Sequence, residues 1–360
     1  MQDFVHQLEP TRPVMVAMAP NSRNDFCEVF DIVGYNYQET RMLKDHITYP
    51  ERLMLGSEVY PYYTANRPTS ARDYMPYNSW NYTKDHSFIL GSFIWAGVDY
   101  LGESSGWPSK GWASCPFDMC MTEKPVAAYH RAEWNDEPVL KLAILDNSLD
   151  IDPGKDHWQY PLMVDNLNLP YTDNRVLEYR TVTNCDSVRL IAPHAGHMMD
   201  FGIRHTKDYP NNTISWYQPY RPGKVLAIGY RNGEEVCRDS LVTAKETASL
   251  KLLPDRSVLK ADGQDLSHIE IKLYDEEGRF VQMDNRKLTV HVEGEGRFLA
   301  LDNGDMRRST PFGSTTLDTF FGRALLIVQS TRKPGLIKVK VALEGSSESY
   351  LLDIKTNSIK

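Results

Sequence analysis

No stretch of 18 apolar residues occurs in the 360-residue chain, which excludes a transmembrane helix. Basic charge is not in excess. Against 48 Asp and Glu stand 40 Lys and Arg, a formal net charge of -8, so the basic stripe of a nucleic-acid binder is missing. Cysteine is scarce and odd in number: Cys27, Cys115, Cys120, Cys185 and Cys237. They form no C-x-x-C, and neither a zinc site nor a disulfide framework is expected. A Cys115–Cys120 pair is left open by their closeness in sequence. No metal or other cofactor is expected. The first ten residues, MQDFVHQLEP, lack a basic segment followed by an apolar one, so the chain as written is expected to carry no signal peptide. No low-complexity segment and no internal sequence repeat stands out.

Aromatic residues are plentiful, with 20 Tyr, 12 Phe and 7 Trp making up 11% of the chain. Their faces stack on sugar rings, and they also fill cores. A hydrophobic fraction of 41% suffices for ordinary cores, and the length suits two or three domains.

The chain changes character near Pro138. Before it come four short apolar runs, Arg12–Ala17, Phe30–Tyr35, Arg52–Gly56 and Phe88–Trp95. Runs this short, bounded by polar or Gly/Pro residues, suit strands buried on both faces, and the intervals between them are long enough for crossover helices. Polar or aromatic residues collect where the last three runs end: Asn36 and Tyr37, Ser57 and Glu58, Trp95 and Asp99. An α/β-barrel enzyme carries its chemistry at that end of its strands, although loops of any α/β protein are polar too. Beyond Pro138, short strands of period two follow one another, with Asn232-Gly233 as a hairpin signal, and β-sandwiches are expected. A boundary between two such modules falls near Ala244–Thr247.

Several stretches, taken in order, resemble glycoside hydrolase family 2, the family of β-galactosidases, β-glucuronidases and β-mannosidases. LEPTRPVMVAM resembles a helix end and the fifth barrel strand, FDIVGYNYQE the sixth, RLMLGSEVYP the seventh and GSFIWAGVDYLGE the eighth. DHWQY at 156–160, TNCDSVRL at 183–190 and YRPGKVLAIGYRNGEEV at 220–236 resemble the sandwich that follows the barrel. Residues 249–279 and 292–305 resemble the next module. The resemblance implies an α/β plus all-β fold: the second half of a (β/α)8 TIM barrel over 1–137, a β-sandwich over 138–245 and an immunoglobulin-like β-sandwich over 246–360. One stretch departs from the pattern, Leu190–His197, where relatives often carry a Leu-Phe-Leu-Asn-Gly strand and turn.

Retaining glycosidases need two carboxyl groups, one to attack the anomeric carbon and one to protonate the leaving oxygen. The resemblance makes Glu58 the nucleophile and Tyr37 the residue that orients it. It places Asn36, Trp95, Asp99 and Lys110 among substrate-binding candidates. Each has a plainer reading: Asn36 as a loop cap, Trp95 as core, Asp99 as a turn cap and Lys110 as a solvated side chain. The family's acid/base is a glutamate preceded by asparagine, and no Asn-Glu pair occurs in the chain. The expectation is therefore a β-galactosidase-like hydrolase acting on oligo- or polysaccharides. It would be present as an N-terminally truncated chain, expected to be inactive alone and to come from a periplasmic or secreted bacterial parent. Its partners would be the carbohydrate and either the missing N-terminal half or further copies of itself. The alternatives are a non-catalytic sandwich protein that binds carbohydrate or a partner, and one half of a split enzyme.

Overall fold

The computed structural model describes residues 1–19, 24–60, 79–104, 106–145, 160, 162–169 and 175–358. Residues 156–159 of the DHWQY motif and Pro61 of RLMLGSEVYP lie outside the described residues. The chain divides into two compact units. The first joins Met1–Phe117, Asp146–Met163 and Tyr209–Asn211, and the second joins Asp118–Leu145, Val164–Asp208 and Asn212–Lys360.

In the first unit, helix α1 (Gln2–Leu8) precedes strand β1 (Met15–Met18). Then α2 (Asn24–Cys27), β2 (Ile32–Asn36), α3 (Glu39–Thr48), β3 (Met54–Val59), α4 (Ser79–Asp85) and β4 (Ile89–Ile94) alternate. The four apolar runs of the sequence each contribute one strand. They pair in parallel in the order β1-β2-β3-β4, as expected when a helix lies between successive strands. Met18, Val33, Tyr35, Met54 and Ile89 from the strands share one buried cluster with Cys27, Met42 and Tyr82 from the helices.

Two features hold β2 and β3 in place. Gly34 faces Ser57 and the Val16 carbonyl so closely that an added Cβ would sit 2.6 Å from Ser57 Oγ and 2.8 Å from Val16 O. The second is a buried polar cluster. Asp45 of α3 accepts a hydrogen bond from the Tyr35 hydroxyl (2.9 Å) and is paired with Arg52 (3.0 Å), just before β3. Burial, with the neighbouring Asp45 adding to it, pushes the Tyr35 phenol up to about 12, so it stays a donor. Beyond β4, β5 (Tyr100–Leu101) and β6 (Gly111–Trp112) form a small antiparallel pair.

In the second unit, α5 (Ala127–Trp134) packs on two strands of a four-stranded sheet, β7 (Leu140–Leu145) and β9 (Val176–Thr183). The other strands of that sheet are β8 (Met163–Val164) and β12 (Thr213–Pro219), in the order β12-β9-β7-β8. A second sheet, β11-β10-β13-β14, contains β10 (Ser187–His194), β11 (His197–His205), β13 (Lys224–Arg231) and β14 (Glu234–Val242). β7 packs across onto β13 and β14. Trp216 is fully buried, with its indole N–H donating to Thr181 Oγ1 at 3.4 Å. Asn232 and Gly233, both at positive φ, make the expected tight β13–β14 hairpin.

The remaining strands are β15 (Ser249–Pro254), β16 (Val258–Lys260), β17 (Leu266–Tyr274), β18 (Lys287–Gly294), β19 (Gly296–Asp302), β20 (Thr316–Asp318), β21 (Arg323–Ser330), β22 (Gly335–Leu343) and β23 (Ser349–Asn357). They form two sheets, β15-β17-β21-β19 and β16-β23-β22-β18-β20. Every second residue of β17 and β21 is buried, the period-two signature of a strand with one face on a core. Ile269, Ile271, Leu273, Leu326, Val328, Ile337, Val339, Val341 and Ile354 fill that core from both sheets.

Candidate active site

The C-terminal ends of β2, β3 and β4 lie side by side because the strands are parallel and adjacent. β2 ends at Asn36, which pairs in register with Glu58 of β3, and Val59 pairs with Ile94 of β4. Three residue groups predicted from the sequence, Asn36-Tyr37, Glu58 and Trp95, therefore emerge at one edge of one sheet.

Tyr37 is tied to Glu58 twice. Its backbone N–H donates to the Glu58 carbonyl at 2.7 Å, and its hydroxyl donates to Glu58 Oε2 at 2.7 Å. The backbone of Tyr37 has φ of 55°, a left-handed conformation that side chains with a Cβ rarely adopt. That turn swings the ring back over the end of β3. Burial, then the hydrogen bond to the Glu58 carboxylate, push the Tyr37 phenol far above its ordinary value, so it is a fixed donor rather than an acid. The Tyr60 ring lies 4.6 Å from that of Tyr37 and braces it. Glu58 Oε1 accepts no hydrogen bond among the described residues. One oxygen of the Glu58 carboxylate is thus held by the Tyr37 hydroxyl.

Asn36 is oriented by its neighbour: Ser57 Oγ donates to Asn36 Oδ1 at 2.7 Å, which turns the amide nitrogen away from Ser57. Gln38, buried at the start of α3, donates to the Met18 carbonyl at 2.9 Å and ties the β2 end to β1. Trp95 is half-buried. Its backbone N–H continues the ladder to Val59, and its indole N–H donates to the Tyr100 hydroxyl at 2.9 Å. Tyr100 in turn donates to Glu103 and stacks on Trp112.

Asp99 and Lys110 are engaged with the loop that follows. Asp99 is 5% exposed, its Oδ1 accepts the Cys115 N–H at 3.0 Å, and its own N–H donates to Phe117 O. Lys110 is half-buried immediately before β6, and its carbonyl accepts the Gly102 N–H at 2.9 Å. Tyr60 and Tyr100 carried no signal strong enough to single them out among 20 tyrosines. For Tyr100 the only hint was a glutamate three residues on.

No cluster of three or more potential metal ligands is found among the described residues, and no described helix is long and apolar enough to cross a membrane.

Comparison with known proteins bears on the whole chain. Residues 250–351 match the model of glycoside hydrolase family 2 C-terminal domain 5, and residues 174–237 match a domain of unknown function, DUF4982. A β-galactosidase of Bacteroides ovatus, BoGH2A, is 26% identical over 97% of this chain. A solved glycosyl hydrolase family 2 member from Bacteroides cellulosilyticus superposes over 99% of the chain with a TM-score of 0.88 at 27% identity. The chain is similar to glycoside hydrolase family 2 members over nearly its whole length.

It corresponds to a C-terminal portion of the family 2 architecture. The chain spans 42% of the B. ovatus protein and 46% of the B. cellulosilyticus structure. A β-glycosidase from Bacteroides vulgatus shares the fold over 98% of this chain, with a TM-score of 0.76 at 21% identity.

Proposed function

We propose that this chain supplies the nucleophile side of a retaining β-glycosidase site, with a β-galactoside-like carbohydrate as substrate. In this reading Glu58 Oε1 attacks the anomeric carbon as the bond to the leaving oxygen breaks. Tyr37 holds Oε2 and keeps the carboxylate aimed. Water later cleaves the glycosyl ester. The observation that carries the reading is the double attachment of Tyr37 to Glu58 at the end of a parallel strand. Asn36, its amide fixed by Ser57, lies beside the carboxylate and suits a sugar hydroxyl. Trp95 offers a flat apolar face to the sugar ring. Asp99 and Lys110 shape the 99–117 loop that borders it.

The four-stranded parallel sheet is, on this reading, the second half of a TIM barrel within 1–137. The two pairs of sheets that follow are immunoglobulin-like sandwiches over 138–245 and 246–360. Supporting this, β1 and β4 each have a single strand neighbour among the described residues, and β4 leaves Leu90 and Phe93 exposed. An open parallel sheet of that kind suits a sheet that continues.

Retaining hydrolysis also needs an acid/base, and the chain contains no Asn-Glu pair. We assign that group to a part of the family architecture that these 360 residues do not include. The test is turnover of an aryl β-galactoside by the chain alone and again with the remaining barrel strands supplied. The expected result is no enzymatic rate alone and a rate on addition. A monodisperse chain that turned over the glycoside by itself, and lost the rate in Glu58→Gln, would overturn the assignment of the acid/base.

A further inference from the structure

Two thiols meet in the second unit, far along the sequence from the strand ends described above. Cys185 precedes β10 and Cys237 lies in β14, 52 positions later, yet their sulfur atoms are 3.5 Å apart. Both are free thiols in this structure. Strand β13 runs between the two strands, and the sulfurs meet over its Gly229. Gly229 pairs with Cys237 on one side and with Val188 of β10 on the other. A Cβ on Gly229 would lie 2.8 Å from each sulfur. The missing side chain is therefore what lets the two sulfurs approach across the middle strand.

The turn that carries Cys185 is rigid. Its N–H donates to Thr183 Oγ1 at 3.0 Å, and its carbonyl accepts from Thr206 Oγ1 at 2.6 Å. Thr183 Oγ1 donates to Val139 O at 2.6 Å, and Asn184 Nδ2 donates to the carbonyls of Asn135 and Glu137 at 2.8 Å. The turn thus gathers the end of α5, the start of β7 and the β9–β10 connection. Cys237 sits on β14, the edge strand of its sheet.

We propose that Cys185 and Cys237 form an intramolecular disulfide by exchange with a disulfide donor, such as oxidised glutathione or a disulfide oxidoreductase. The Cys237 thiolate attacks one donor sulfur and expels a donor thiolate, leaving a mixed disulfide. The Cys185 thiolate then attacks Cys237 Sγ and releases the second donor thiolate. The two thiol protons end on the two donor thiols, and the donor is reduced by the electron pair that the protein sulfurs give up. Closing from 3.5 Å to a bond of about 2.0 Å draws the Cys185 turn and edge strand β14 toward each other across β13. Cys185 is 2% exposed, and burial pushes the Cys237 thiol up to about 12, so exchange in the closed fold is slow. The bond forms most readily while the chain folds. Once made, it fastens edge strand β14 across β13 to the hydrogen-bonded turn, and it constrains the unfolded chain between the two cysteines.

The experiment is refolding of the full chain from denaturant in a mixture of oxidised and reduced glutathione, followed by thiol titration in denaturant and non-reducing peptide mapping. The proposal expects three titratable thiols in place of five, one linked peptide pair carrying Cys185 and Cys237, and a Tm lowered by roughly 5–10 °C on reduction. Cys237→Ser, at a half-buried position, should show no linked pair and a Tm indifferent to reductant. Five titratable thiols after refolding would overturn the proposal. So would three thiols with the link found at Cys115–Cys120.

Discussion

A hydroxyl that donates to a carboxylate at 2.7 Å holds and orients it, which is the work proposed for Tyr37 on Glu58. Removing the hydroxyl while keeping the ring isolates that role. In the enzyme with its full barrel, Tyr37→Phe should lower kcat on the order of 10²-fold with KM little changed. A change confined to KM would make Tyr37 a binding residue instead. His130 permits a second test, of stability. Its ring packs against Trp134 with centroids 4.7 Å apart, and burial pushes the imidazole down to about 4. An unfolded histidine titrates near 6.5. Between those values the unfolded chain binds a proton that the folded one refuses, so stability falls as pH drops from about 6.5 toward 4. Tm measured from pH 7 to pH 5 should fall, and the fall should be shallower in His130→Gln. An unchanged slope would remove His130 from the account.

Among the elements, strand β2 is the sensitive one, because its contacts with β1 and β3 depend on an absent side chain. Gly34→Ala would place a methyl group 2.6 Å from Ser57 Oγ, beside the residue that orients Asn36 and next to Glu58. Overpacking of this kind costs roughly 1–3 kcal/mol. The expected result is that loss of stability, read by denaturant melting, together with reduced activity in the complete enzyme. Wild-type stability would mean that the sheet relaxes freely at Gly34. The four parallel strands were legible as short apolar runs, although only β2 and β3 are largely covered, and β1 and β4 leave Met15, Leu90 and Phe93 exposed. Tyr37 and Glu58 were singled out by the resemblance of FDIVGYNYQE and RLMLGSEVYP to family motifs, since their places after apolar runs also fit ordinary loop residues. Other elements were hidden for physical reasons. β11 is an edge strand whose first four residues, His197 to Asp200, are all exposed, so its sequence has no buried face to reveal it. β23 was obscured by Leu351, 75% exposed, between Tyr350 and Leu352, which breaks the alternation. The Trp95-Tyr100-Glu103 chain depends on Gly102 and Glu103 both taking positive φ, a loop conformation that spacing does not encode.

At the scale of the molecule, the chain carries one carboxylate held by a donor at the end of a parallel strand, and it spans less than half of the relatives it matches. On the proposed reading, the nucleophile and its orienting tyrosine come from this chain and the proton donor from the rest of the family architecture. The claim at the centre is that Glu58 forms the glycosyl ester. The direct measurement is mass spectrometry of peptides from the complete enzyme after reaction with an activated glycoside whose glycosyl-enzyme intermediate hydrolyses slowly. The account predicts one added glycosyl unit on the peptide containing Glu58, absent in Glu58→Gln. A glycosyl unit on any other carboxylate, or normal turnover by Glu58→Gln, would contradict it.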